Sequence, residues 1–197
     1  MYEGSNPAAL RSQEELAAAL IALMREEPYD KITITMICQR AQVSRQTFYQ
    51  MFDGKDDVVR FVIMDEYRAF EEKMRPFEAL TFQEFAECTF RFFECRRAVL
   101  DLLIAHDLQG LLQEQFQIAL SKILSQFRCE SDNVFDDENR AFLAGGLCAM
   151  AIHRARYGDN LALTARAERF ARLFAIRVFV RVASAGCRGK SPCGTGR

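Results

Sequence analysis

Lys31–Lys55 reads KITITMICQRAQVSRQTFYQMFDGK, and the spacing of its apolar residues decides the fold. Ile34, Ile37, Cys38 and Ala41 fall at i, i+3, i+4 and i+7, one stripe of a helix. Thr33 stands just before that stripe, where its side-chain oxygen can take an orphan amide of the first turn. Gln42 and Val43 make a turn, and Ser44 caps a second helix running from Arg45 to Phe52. Phe48 and Phe52, four apart, anchor that helix on a core. Arg45, Gln46, Thr47, Tyr49 and Gln50 are left to face outward. Two short helices at a tight turn, the second with a polar outer face, have the form of a helix-turn-helix, whose second helix lies in a DNA major groove.

These residues also resemble the DNA-binding domain of TetR/AcrR-type regulators. Those domains read Thr-apolar-x-x-Ile-Ala, then Ala-Gly-Val-Ser, then Thr-apolar-Tyr-x-x-Phe-x-x-Lys. Thr33, Ile37, Ala41, Val43, Ser44, Thr47, Tyr49, Phe52 and Lys55 match by position, while Gln42 replaces the usual turn glycine and Cys38 the usual alanine. The resemblance covers roughly the first third of the chain. It implies an all-α, TetR-like fold of about nine helices. A helix-turn-helix head would occupy residues 10–57, and a helical regulatory and dimerisation body residues 58–184. The Gly- and Lys/Arg-rich residues 185–197 read as a disordered tail. A three-helix core with incidental polar residues is the plainer alternative.

Half of the 197 residues are hydrophobic, 27% are charged, and the formal net charge is −1. That is an ordinary globular composition, with length enough to bury a core. Between Leu10 and Asp57 eight acids oppose six Lys/Arg, so bulk charge argues against nucleic acid. Contact with DNA must then be local, through helix N-termini, Arg45 and Lys55, and its affinity modest and salt-sensitive. Seven cysteines without a CxxC pair give no metal-ligand spacing and fit free thiols in a reducing cytoplasm. An apolar signal core and a spanning stretch are both missing from the sequence, so no membrane association is expected.

Met1–Arg11 reads as a loose arm, with Arg11 either a minor-groove contact or part of a frayed terminus. Ser12-Gln13-Glu14-Glu15 is a capping box that predicts a helix start. Asp53-Gly54 breaks the chain, and Lys55 opens a long helix reaching Pro76. Thr81-Phe82-Gln83-Glu84 is a second capping box. Helices are then expected over Ala98–Ala105, Leu108–Phe127 and Asn139–Tyr157, with an acidic loop over Arg128–Asp137. The run Ala141–Ile152 is apolar all round and predicts burial on several sides. Gly145-Gly146 within it costs about 1 kcal/mol per glycine, which close approach of another backbone would offset. Leu161–Ala183 reads as the last helix, with Phe170 inside and Arg166, Arg169 and Arg172 outside. Phe142–Gly158 is similar to a subgroup of TetR-like C-terminal domains that includes activators of dihydroxyacetone kinase genes, although Arg154 stands where that subgroup has Trp. This resemblance implies that the last two long helices pair with their copies in a second chain as a four-helix bundle.

Arg45 suits bidentate recognition of guanine, and Gln46 of adenine. Thr47, Tyr49 and Lys55 resemble phosphate-contacting positions of the family. Gln50 suits either role, and Thr33 and Thr35 on the preceding helix complete the expected contact set. A homodimer would read a palindromic operator. Fifteen of seventeen phenylalanines follow Asp53. They form either a Phe-rich core or an apolar effector pocket, with Phe85, Phe92, Met150 and His153 as candidate lining. A ligand favouring a form with wrongly spaced heads would lower operator affinity. Cys88 and Cys95, seven apart, are either oxidant sensors or inert thiols. His106-Asp107 and His153 have no partner by spacing, and no phosphate loop is present, so an enzyme, a cofactor and a metal are not expected. A helical adaptor acting through protein partners is the rival reading, supported by the negative head.

Overall fold

The computed structural model describes residues 6–74, 79–125, 127–128, 137–158, 161–173 and 179–182. Its first helix, α1, spans Pro7–Met24. Asn6 caps it by accepting the Ala8 N–H at 3.0 Å, with Pro7 in the first turn, where a missing N–H costs nothing. This corrects the expected start at Ser12. Arg11 rides on the helix rather than on an arm, and Gln13 of the presumed capping box is buried inside it. An Asn-Pro pair starts a helix as well as a capping box does, and here it stands nearly two turns earlier. Residues 1–5 of the expected arm lie outside the described residues.

A 3-10 turn, Tyr29–Lys31, leads to α2 (Ile34–Ala41) and α3 (Arg45–Met51). Leu16, Leu20, Ile37 and Phe48 from these helices are wholly buried and form the head core. The next helix, α4 (Lys55–Met74), serves both halves of the chain. Its Phe61 meets Phe52 edge-on at 5.7 Å, while Tyr67 packs on Phe92 and Phe116 at 5.6 and 5.4 Å.

The body continues through β1 (Ala79–Thr81), α5 (Phe82–Cys95), α6 (Arg97–Ala105) and α7 (Gln109–Ser125). It ends in β2 (Phe127–Arg128), α8 (Asp137–Tyr157), α9 (Leu163–Leu173) and β3 (Phe179–Val182). The Thr81 capping box forms as expected, with Thr81 Oγ1 accepting the Glu84 N–H at 3.2 Å and Glu84 accepting the Thr81 N–H at 2.7 Å. The architecture is all-helical, with nine α-helices among the described residues and one small sheet. α7 packs on α8 and α5 on α9. Phe170 of α9 stacks on Phe82 at 5.6 Å and meets Phe90 edge-on at 6.1 Å.

Two expectations need correction here. The last helix does not run to Ala183. The described part ends at Leu173, and Phe179–Val182 is a strand between β1 and β2, with Leu80 opposite Val180 and Phe127 opposite Val182. Phe-Val-Arg-Val is rich in strand formers, and Val180-Arg181-Val182 alternates with period two; its apolar positions also fit a helical stripe. Nor is α8 buried all round. Leu143, Ala144, Leu147, Cys148 and Ala151 face the core, whereas Ala141, Phe142, Ala149, His153 and Tyr157 are exposed. The expected loop at 129–136 and tail at 185–197 lie outside the described residues.

The glycine pair on α8 admits side chains rather than a backbone from within this chain. A Cβ on Gly146 would stand 3.3 Å from the Phe170 ring, and one on Gly145 would meet only Gln113 and Gln117 amides at 3.8 Å. We therefore expect Gly145→Ala to stabilise the chain by about 1 kcal/mol, the helix-propensity difference. Gly146→Ala gains less or loses, because Phe170 must give way. Urea unfolding of both variants at equal protein concentration measures the contrast.

Candidate nucleic-acid interface and its joint to the body

Caps set the two interface helices before any tertiary contact does. Thr33 Oγ1 accepts the Met36 N–H at 3.2 Å, and Ser44 Oγ accepts the Thr47 N–H at 3.0 Å. Between them Gln42 adopts left-handed backbone, φ 56° and ψ 32°, and its N–H closes the end of α2 onto Cys38 and Gln39 carbonyls. A non-glycine residue in this region is strained by about 1–2 kcal/mol. The turn geometry is thus the one a glycine would adopt freely, kept here with a side chain.

On α3, Phe48, Met51 and Phe52 are buried, and Arg45, Gln46, Tyr49 and Gln50 are exposed. Tyr49 is 52% exposed, yet its ring is held edge-on to Phe48 with centroids 5.5 Å apart. Its hydroxyl is thereby presented to solvent on an oriented arm. Thr47 is half-buried, its hydroxyl 2.8 Å from that of Ser44. Thr33 and Thr35 are exposed at the start of α2. The structure therefore brings Thr33, Thr35, Arg45, Gln46, Tyr49 and Gln50 to the surface of the two helices, with Thr47 at its edge. Arg40, also on α2, is committed elsewhere: both terminal nitrogens bind Glu26 at 2.9 and 2.5 Å. That contact holds the Glu26 carboxyl below its ordinary range.

Lys55 has a different place from the one expected. Its ammonium donates to the Tyr29 carbonyl at 2.7 Å, to Ile32 at 3.1 Å and to Asp30 at 3.4 Å, and lies 4.3 Å from the Tyr29 ring centroid. An ammonium has three donors, and the 3-10 turn takes all of them. In this geometry Lys55 locks α4 to the α1–α2 connection and has no proton directed at a phosphate.

Tyr29 is the hub of that joint. Its hydroxyl donates to Asp56 at 2.5 Å, and burial, reinforced by that carboxylate, pushes its phenol pKa far up. Its backbone N–H donates to His106 Nδ1 at 3.2 Å, and His106 Nε2 lies 2.7 Å from the Met24 carbonyl. Nδ1 accepts, so Nε2 carries the proton and donates to Met24. His106 thus ties the α6–α7 corner to the ends of α1 and of the connection after it. Sequence reasoning missed it, since nothing in the local spacing says that residue 106 meets residues 24 and 29.

Among the described residues, Phe85, Phe92, Met150 and His153, expected to line one apolar pocket, are not brought together on one cavity. Phe85 is wholly buried, and Phe92 packs at 4.9 Å on Phe70. The cavity among Tyr67, Phe92, Phe93, Leu100, Leu103 and Leu112 holds about 20 Å³, room for a water and no more. The Tyr67 hydroxyl, buried beside it, finds no hydrogen-bond partner among the described residues. Met150 and His153 instead line an open cleft of about 530 Å³ beside α9. Cys88 and Cys95 share a third cleft, about 210 Å³, with Lys73 and Arg91. Seven helical residues separate these thiols by about 10 Å, beyond the roughly 7 Å limit for a disulfide. Burial also pushes the Cys88 thiol up, away from the reactive thiolate.

These features define a helix-turn-helix head joined to a helical body. Residues 16–61, the helix-turn-helix head, match the family of bacterial regulatory proteins, tetR family. None of the curated proteins matches it by sequence. Among solved structures, Lin0861 from Listeria innocua is 15% identical with a TM-score of 0.70, covering 88% of this chain and 94% of that one. FadR from Bacillus halodurans, a fatty acid degradation regulator, is 17% identical with a TM-score of 0.55, at 87% and 96% coverage. The dihydroxyacetone kinase operon activator DhaS is 16% identical with a TM-score of 0.53, at 83% and 94% coverage. At such identities the likeness is one of fold. Among the described residues no helix is long and apolar enough to cross a membrane.

The joint and the turn each generate an expectation. Gln42→Gly should stabilise the head by about 1 kcal/mol by relieving left-handed strain, read as a higher urea midpoint with DNA affinity retained. His106→Ala should cost about 1 kcal/mol, the loss of two half-buried hydrogen bonds to the Tyr29 N–H and the Met24 carbonyl. Faster amide exchange at Tyr29, with the α5–α9 core unaffected, would place that loss at the joint.

Proposed function

We propose that two copies of this chain bind a palindromic operator, that the protein acts as a repressor, and that a small ligand relieves it. The observation that carries the reading is the division of α3: Phe48, Met51 and Phe52 are buried while Arg45, Gln46, Tyr49 and Gln50 stand exposed. A helix so anchored holds its polar face rigid, as base readout requires. Arg45 is assigned to guanine and Gln46 to adenine. Thr33, Thr35, Thr47 and Tyr49 hold phosphates and set the register, and Gln50 serves either edge or backbone. The head corresponds to residues 10–57 and the regulatory body to 58–184. Lys55 supports the interface from behind, by fixing the joint.

Dimerisation is assigned to α8 and α9. The exposed side of α8 carries Phe142, 67% exposed, and Tyr157, 72% exposed, with Ala141 and Ala149 between them. Bulky apolar groups on a helix otherwise facing solvent are what a two-fold helical interface covers. The rival adaptor reading draws only on the acidic balance of the head, which local amides and Arg45 offset.

Selection of binding sites from random duplexes, followed by gel shifts at several salt concentrations, tests the reading. A two-fold symmetric site and a steep loss of affinity with salt are the expected result. Arg45→Ala should lose about 1–3 kcal/mol of discrimination at one base of each half-site. Lys55→Ala should instead lower the unfolding midpoint and leave the base preference unchanged. A strictly monomeric protein in light scattering, or indifference to every duplex at low salt, would favour the adaptor.

A further inference from the structure

We infer that the cleft between α8 and α9 is the effector site, and that it takes a small amphipathic anion. This deepens the ligand-relief half of the function proposed above and rests on it. The cleft encloses about 530 Å³, within the range of sites that hold drug-sized molecules. Its described lining divides by chemistry. Met150, Leu161 and Phe170 supply apolar surface, while Arg166, Arg169 and Arg172 supply guanidinium groups and His153 an imidazole. No acid belongs to the described lining.

Position makes the division selective. Arg166, Arg169 and Arg172 are spaced by three along α9, and successive residues at that spacing lie on neighbouring turns of one side. Arg166 is built into the wall at 3% exposure, braced by donation to the Leu161 carbonyl at 3.0 Å and by the Phe90 ring at 5.7 Å. Beneath it a single carboxylate, Glu94, is shared: it pairs with Arg154 and lies 3.8 Å from Arg166. Arg169 and Arg172 are exposed at the rim, Arg172 paired along the helix with Glu168. A ligand with a carboxylate or similar head and an apolar body would satisfy both halves. The head would meet rim guanidiniums, whose planar forks match a carboxylate, and the body would cover Met150 and Phe170. A neutral apolar molecule would leave the arginines nothing to gain.

The location supplies a mechanism. His153 sits on the exposed side of α8 and Met150 at its edge, and the rest of the lining lies on α9 or just before it. A molecule wedged there bears on the helices proposed to join the two copies, and so on the distance between their heads.

Calorimetry on the full chain with 2-naphthoate and decanoate, each beside its neutral amide, tests the site. We expect at least one anion to bind and its amide to bind at least tenfold more weakly. Arg169→Gln/Arg172→Gln, changes confined to exposed rim positions, should weaken the anion at least tenfold without moving the unfolding midpoint. The same anion should release the duplex recovered by selection from the wild-type protein and not from the double variant. Equal binding of anion and amide, an unaffected double variant, absence of binding by both anions at millimolar concentration, or binding without release would each overturn the proposal. A wild-type gel shift that persists in those cases keeps the DNA-binding reading intact. Loss of that shift in the ligand-free protein is the separate failure of the reading beneath it.

Discussion

The ammonium of Lys55, held over the Tyr29 ring by three backbone carbonyls, is the contact on which the placing of the head depends. Tyr29, Asp30 and Ile32 belong to the short connection between α1 and α2, where the Tyr29 carbonyl also accepts the Ile32 N–H at 3.1 Å. A carbonyl in such a bend must find a donor or remain wet. One lysine at the start of α4 supplies donors to all of them. The helix that enters the body is thereby tied to the turn that orients α2 and α3. Removing it would leave both the loop and the start of α4 without their shared anchor.

The same Tyr29 carries the second tie, to His106. A neutral imidazole has one donor and one acceptor, and here both are used: Nδ1 receives the Tyr29 N–H and Nε2 serves the Met24 carbonyl. The α6–α7 corner is bonded to the end of α1 and to the connection after it through His106. Since α7 packs on α8, a shift of α8 reaches the corner through one helix–helix contact. A two-state coupling needs such an element, one whose alternative position both ends can bias.

What the sequence made legible follows from the range of each signal. The caps at Thr33, Ser44 and Thr81 are contacts over three residues, and all form where local spacing places them. Phe48 and Phe52 are buried because amphipathic spacing reports burial directly. Failures begin where one pattern serves two structures. Phe-Val-Arg-Val suits either a helix stripe or a strand, and pairing with Ala79–Thr81, a hundred residues away in rough terms, decides for the strand. Ala141–Ile152 reads as uniformly apolar, but alanines and glycines weigh little in burial, so its inner face is the one that carries Leu143, Leu147 and Cys148. Arg166 read as an outward residue because charge is ordinarily solvated. Its burial depends on Phe90 and the Leu161 carbonyl, which spacing does not reveal.

An acidic head proposed to bind DNA is less paradoxical once its charges are placed. Arg40 and Glu26 neutralise one another at the back of α2, and Asp56 accepts from Tyr29 in the joint. Asp57 accepts the Asp53 N–H and pairs with Arg60. These acids are engaged with partners of their own, in contacts that tie the elements of the head together. The charge on the outer side of α3 is Arg45, beside the positive end of the α3 dipole. Screening confines the influence of the remaining acids to about 8–10 Å at physiological salt. A phosphate approaching α3 therefore meets local amides and one guanidinium before it senses the net charge of the domain. The cost of this arrangement is the loss of long-range attraction, so recognition rests on contact geometry, which is the property that the buried Phe48 and Phe52 maintain.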